Sequence, residues 1–176
     1  MIDSHAHYDD KAFDEDREQM ISTVFKSGIR KVINIGASMK SCRETIKLAE
    51  TYEQIYAAIG VHPSDTAELT EEDMEWLKEK SAHKKVVAIG EIGLDYYWPE
   101  PDWEIQKRWF RRQLSLAREV GLPVVIHSRD AFADTISIMK ECKAGEIPGV
   151  IHCYSYTKES AREFLDMGYS FGIGGV

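Results

Sequence analysis

The chain has 176 residues, 43% of them hydrophobic and 30% charged, and its 22 basic and 30 acidic side chains give a net charge of −8. That balance excludes a disordered chain and a coiled coil, and it argues against a broad basic surface laid along nucleic acid. A narrow site in which metal ions hold phosphate remains compatible with it, because bound cations can be the largest local charges. No apolar run approaches the roughly 18 residues of a membrane span. The start, Met1-Ile2-Asp3-Ser4-His5, has neither the basic nor the apolar region of a secretory leader. One cytoplasmic domain over 1–176, with no membrane partner, is expected. Cys42, Cys142 and Cys153 have no CxxC spacing and read as thiols of a reducing compartment.

In chain order, apolar runs of strand length fall at 1–5, 31–36, 55–61, 86–91, 123–127, 149–152 and 169–174. They are rich in Val and Ile and do not alternate cleanly with polar residues, as suits strands covered on both faces of a parallel sheet. Helical patterns lie between them. The stretch 14–27 carries Ile21, Val24 and Phe25 and stops at Gly28. Ser38 caps a helix that buries Cys42, Ile46 and Ala49, and Thr70 with Asp73 forms a capping-box pattern before Met74 and Leu77. Asp102 opens the longest helix, which Gly121 and Pro123 end. Two more helices follow over 130–142 and 157–167. This alternation implies βαβ units, in either an open doubly wound sheet or a (β/α)8 barrel. No GxGxxG follows the first strand, which removes the usual reason for the open sheet. The expected fold is an α/β, TIM-like barrel.

Five of the six histidines, all but the loop residue His83, stand at the C-terminal end of an expected strand. These are His5, His7, His62, His127 and His152, and Glu91 closes the fourth strand. In a barrel all such ends open at one mouth, where active sites are built. Residues two apart in a strand share a face, so His5 and His7 can grip one cation while Ala6 turns away. Imidazole and carboxylate together suit divalent ions such as Zn, Mn or Fe. A carboxylate has two oxygens, so Glu91 can bridge two metals about 3.5–4 Å apart. His127 and His152 then complete the second site. Nearby, Arg129 shares the His127 face and either holds phosphate or pairs with a helix. His62 is placed to bind substrate or leaving group. Tyr96, Tyr97 and Trp98 either stack on bases or pack over the rim. Cys153 is expected to point away, into the barrel wall.

These residues lie in Ile2-Asp3-Ser4-His5-Ala6-His7, Gly60-Val61-His62-Pro63, Gly90-Glu91-Ile92-Gly93-Leu94-Asp95-Tyr96-Tyr97, Val125-Ile126-His127-Ser128-Arg129 and Gly149-Val150-Ile151-His152-Cys153-Tyr154-Ser155. With Gln106, Phe110 and Gln113-Leu114 on the long helix, the chain resembles the TatD family of metal-dependent deoxyribonucleases. The resemblance implies a TIM-like barrel and two divalent metals (Mg, Mn or Zn). By match, His5 and His7 hold the first metal, Glu91 is the catalytic bridging carboxylate, and His127 and His152 hold the second. It also implies cleavage of DNA, expected as single strands or at strand ends, and the positions of His62, Arg129 and Tyr96 at the mouth make them the expected substrate contacts. The family pattern includes a further Asp at the end of an eighth strand, beyond residue 176. The expectation is therefore a barrel cut after strand seven, from a protein of roughly 250 residues. The alternatives are a hydrolase of amide or ester bonds, including D-aminoacyl-tRNA, or an inactive chain. The carboxylate at Glu91, where many amide hydrolases of such barrels carry a carboxylated Lys, favours the nuclease branch.

Overall fold

A computed structural model describes residues 1–174; Gly175 and Val176, which close the apolar stretch assigned to strand seven, lie outside the described residues. The strands are β1 (Ile2–Ala6), β2 (Lys31–Ile35), β3 (Ile55–Ile59), β4 (Val86–Asp95), β5 (Val124–Arg129), β6 (Gly149–Ile151) and β7 (Ser170–Phe171). The helices are α1 (Arg17–Lys26), α2 (Met39–Thr51), α3 (Glu71–Ser81), α4 (Trp103–Val120), α5 (Phe132–Glu141) and α6 (Lys158–Asp166). Every strand pairs in parallel with the next, in the order β1-β2-β3-β4-β5-β6-β7. A doubly wound sheet reverses its strand order at a switch point. This one never reverses, so it curls in a single sense as the wall of a TIM-like barrel.

Alternation along the strands divides the core in two. Ile35, Ala58, Ala88 and Val125 form one buried cluster, packed by Ile33 and Val150. Their neighbours of opposite parity, Val32, Ala57, Ile59, Ile89 and Ile126, pack with helix residues such as Cys42, Ile46, Leu77, Phe110 and Leu114. Each such aliphatic or aromatic side chain removed from water contributes about 1.5–3 kcal/mol. His127 and His152 stand two residues beyond Val125 and Val150, so the strand period carries the inner face up to them.

The helix signals operate as the residues dictate. Thr70 accepts from the Asp73 N–H while the Asp73 side chain accepts from the Thr70 N–H, a reciprocal cap on α3. Asp102 caps α4, and Gly121 ends it in the left-handed region at φ 69°. Helix α1 starts at Arg17, later than expected, because the Arg17 guanidinium donates to the carbonyls of Tyr8 and Asp10 and to Asp14, which holds the preceding loop in place. Strand β4 runs four residues beyond its expected end at Glu91. Its register shifts between Gly90 and Ile92, after which Gly93 pairs with His127 and Asp95 with Arg129. Gly93 allows this close approach: at φ 145° a Cβ would stand 1.9 Å from the His127 carbonyl oxygen. No helix among the described residues is long and apolar enough to cross a membrane.

Candidate metal centre

The strand ends bring the expected histidines together around Glu91. This carboxylate is buried, 4% exposed, and its two oxygens face different partners. Oε2 lies 3.3 Å from His5 Nε2 and 3.9 Å from His7 Nε2. Oε1 lies 3.0 Å from His127 Nδ1. His5 and His7 meet through their Nε2 atoms at 3.1 Å, and His7 Nδ1 is held by the Ile35 carbonyl at 2.9 Å. His152 stacks on His5, ring centroids 3.3 Å apart. His62 meets His127 edge to face at 4.3 Å.

Two sets of donor atoms can each hold a cation: His5, Glu91 and His152, and His62, Glu91 and His127, with the atoms of each set within 4.8 Å of one another. The grouping differs from the expected one. His152 stacks on His5 and joins its set, while the set that holds His127 takes His62. The donors are imidazole nitrogen and carboxylate oxygen, which suit a divalent transition ion or Mg²⁺. One carboxylate with an oxygen toward each set also suits a bridge, so the residues present fit the group that the sequence implies.

Electrostatics follow from crowding in a poorly hydrated space. Burial pushes the Glu91 carboxyl up, but hydrogen bonds from His127 and His5 outweigh it and hold Glu91 well below its ordinary value. Burial pushes His127 down, yet its bonds to Asp95 and Glu91 prevail and raise it to about 9. His62 and His152 have no such pair of acceptors. Burial lowers both to about 4, helped at His62 by the charge on His127. The two carboxylates thus favour positive charge at His127, and a site that favours positive charge suits a cation.

The profile of the family described as TatD related DNase matches residues 2–176. The chain belongs to the TatD family. Among TatD relatives, the metal-dependent hydrolase YabD of Bacillus subtilis (strain 168) is 42% identical over 175 residues, which cover 99% of this chain and 69% of that protein. The 3'-5' ssDNA/RNA exonuclease TatD of Cronobacter sakazakii is 33% identical, with 99% of this chain and 66% of that protein covered. The crystal structure of the TatD homologue YjjV from Escherichia coli K12 superposes with a TM-score of 0.92 at 32% identity, covering 99% of this chain and 68% of that one.

In this TatD chain, sequence reasoning passed over Asp95. It is buried, its Oδ2 lies 3.0 Å from His127 Nε2, and its Oδ1 accepts from the Tyr97 N–H at 3.0 Å. The signal was its spacing from Glu91, two strand periods along one face, and it was hidden by ending the strand too early. Tyr96 is a correction. Its ring stacks on Trp103 at 4.3 Å and its hydroxyl donates to Asp134 at 2.6 Å, so it braces α4 against α5 and leaves the cleft to Tyr97. Among the described residues Arg129 makes no ion pair with a helix; its guanidinium lies over the Tyr97 ring, 3.7 Å from the centroid. Cys153 is the second correction. It lines the cleft beside His152, because its backbone turns to φ 44° and breaks the strand alternation on which the opposite expectation rested.

Proposed function

We propose that this chain is a metal-dependent hydrolase that cleaves phosphodiester bonds of DNA, working inward from an end of a single strand. The observation that carries the reading is Glu91, which divides its two oxygens between two histidine sets. Two divalent ions (Mg, Mn or Zn), held by Glu91 with His5, His7 and His152 on one side and by Glu91 with His62 and His127 on the other, would polarise a phosphoryl group and acidify a water. The neighbouring residues fit a phosphodiester. Arg129 offers planar N–H donors beside the cleft, the geometry that recognises phosphate. His62 is held with Nδ1 2.7 Å from the Ser64 hydroxyl oxygen and 3.2 Å from its backbone nitrogen, which sets the ring edge to face with His127 at the same site. The name of the Cronobacter relative supports the same class of substrate, and the acidic total suits local grip on a strand end.

The test is turnover of an end-labelled single-stranded oligonucleotide, against a panel of small esters and amides, with Mg²⁺, Mn²⁺ or Zn²⁺ added in turn. Release of mononucleotides from one end is expected, with loss in EDTA and at least a hundredfold fall, about 2.7 kcal/mol, in Glu91→Gln. Turnover confined to the esters and amides would overturn the choice of substrate.

A further inference from the structure

The three aromatic side chains that the fold leaves most exposed lie between the end of β4 and the first residue of α4. Tyr97 is 52% exposed, Trp98 55% and Trp103 46%. Trp103 is engaged by Tyr96, but Tyr97 and Trp98 pack chiefly on each other, ring to edge at 4.7 Å and 89°. Nothing in the core needs them there. Tyr97 also lines a cleft of about 500 Å³ together with His127, Arg129, His152 and Cys153, so Tyr97 and the metal centre open into one space, with Trp98 packed against Tyr97.

We propose that Tyr97 and Trp98 form a stacking site for one unpaired nucleobase, and that Arg129 holds the phosphate beside it. The inference rests on the hydrolase reading and deepens it, since it assigns the residues that would take an unpaired base of that strand and makes the contact indifferent to base identity. A base inside a duplex has its faces covered by its neighbours, whereas an unpaired base can lay its π-face on an aromatic ring, and every base has such a face. Arg129 is suited to the companion role. One side of its guanidinium is braced on Tyr97, and among the described residues it forms no ion pair, so its N–H groups are free for a phosphate. Asp95 joins the two parts of the site. One oxygen accepts from the Tyr97 backbone and the other bonds His127, so the first residue of the platform is anchored to the carboxylate that orients a metal-binding imidazole. The stacked base would then fix where the scissile phosphate lies relative to the ions.

The experiment is a cycle between protein and substrate. Short single strands, deoxy and ribo, carry 2-aminopurine or an abasic site next to the terminal phosphodiester. Binding is read by fluorescence quenching and anisotropy in EDTA, where no turnover occurs. Wild-type protein is expected to quench 2-aminopurine and to bind the base-bearing strand about tenfold tighter than the abasic one, in both sugar series. In the Tyr97→Ala, Trp98→Ala double variant that ratio should fall to near one, and Trp98→Phe should restore most of it. A blunt duplex should compete poorly. Equal binding of base-bearing and abasic strands by the wild type, or an undiminished ratio in the double variant, overturns the stacking site. The hydrolase reading fails separately: a wild type that quenches and discriminates but releases no nucleotide with any metal refutes the chemistry and leaves the stacking site in place.

Discussion

At the scale of single residues, the centre depends on carboxylates that orient histidines. Asp95→Asn keeps the shape of the Asp95 side chain but removes the charge that faces His127 Nε2. Groups that orient a ligating histidine are worth about 10–100-fold in metal affinity or activity. A loss in that range is expected by calorimetric titration with Mn²⁺, with the far-ultraviolet dichroism unchanged. Cys42 makes a second prediction. Burial pushes its thiol up to about 12, its S–H donates to the Gly60 carbonyl, and the Gly60 N–H donates to its sulfur. Below the ordinary thiol value of 9 the folded and unfolded chains both keep this proton. Above it the unfolded chain loses the proton first, so stability should fall as pH rises from 9 toward 12. Native protein at pH 8 should expose only the half-buried Cys142 and Cys153 to a thiol reagent, with the third appearing on unfolding. A native count of three would refute the assignment. The histidines were legible in the sequence because a strand end is a position that residue pattern reveals. The direction of a ring was not: Tyr96 turns to Trp103 and Asp134, partners distant in the chain, and Cys153 leaves the alternation through a left-handed backbone that no residue type announces.

At the scale of elements, α4 holds two strand ends in place with amides. Gln113 accepts from the Val61 N–H at 2.8 Å and donates to the Val61 carbonyl at 3.0 Å, directly before His62. Gln106 does the same for Asp95, at 2.9 and 3.0 Å. Two helical turns separate these glutamines, so one buried face of α4 serves both β3 and β4. Removing one amide strands a buried N–H and a carbonyl, at about 1–3 kcal/mol for each unsatisfied group. Gln113→Ala should therefore lower the urea midpoint while leaving the unfolding slope unchanged, and a variant as stable as wild type would show that water replaces the amide. The helix itself was legible from its apolar spacing, with Asp102 and Gly121 as its bounds. The purpose of its buried polar residues was not, because both glutamines find their partners on other elements.

At the scale of the whole molecule, sequential parallel strands place every expected ligand at one rim, and this was legible because strand and helix signals alternate without a break. The finer matter of which histidine sits beside which depends on the curl and register of the sheet. The net charge of −8 bears on binding. Each phosphate neutralised on a single strand contributes a slope of about −0.7 in log affinity against log salt. With Arg129 as the lining cation not paired to a carboxylate among the described residues, while His127 is paired with Glu91 and Asp95, a strand complex formed in EDTA should show a shallow slope near that of one phosphate. A slope several times steeper, measured by anisotropy across a salt series, would point to a wider basic track. The donors at positions 5, 91, 127 and 152 come from β1, β4, β5 and the residue after β6, spread over most of the chain. No local fragment can present them together, so tight capture of a divalent ion becomes an all-or-nothing witness to the assembled sheet. Titrating a refolding mixture with a chelator-calibrated ion should therefore count native molecules one by one, whatever their activity.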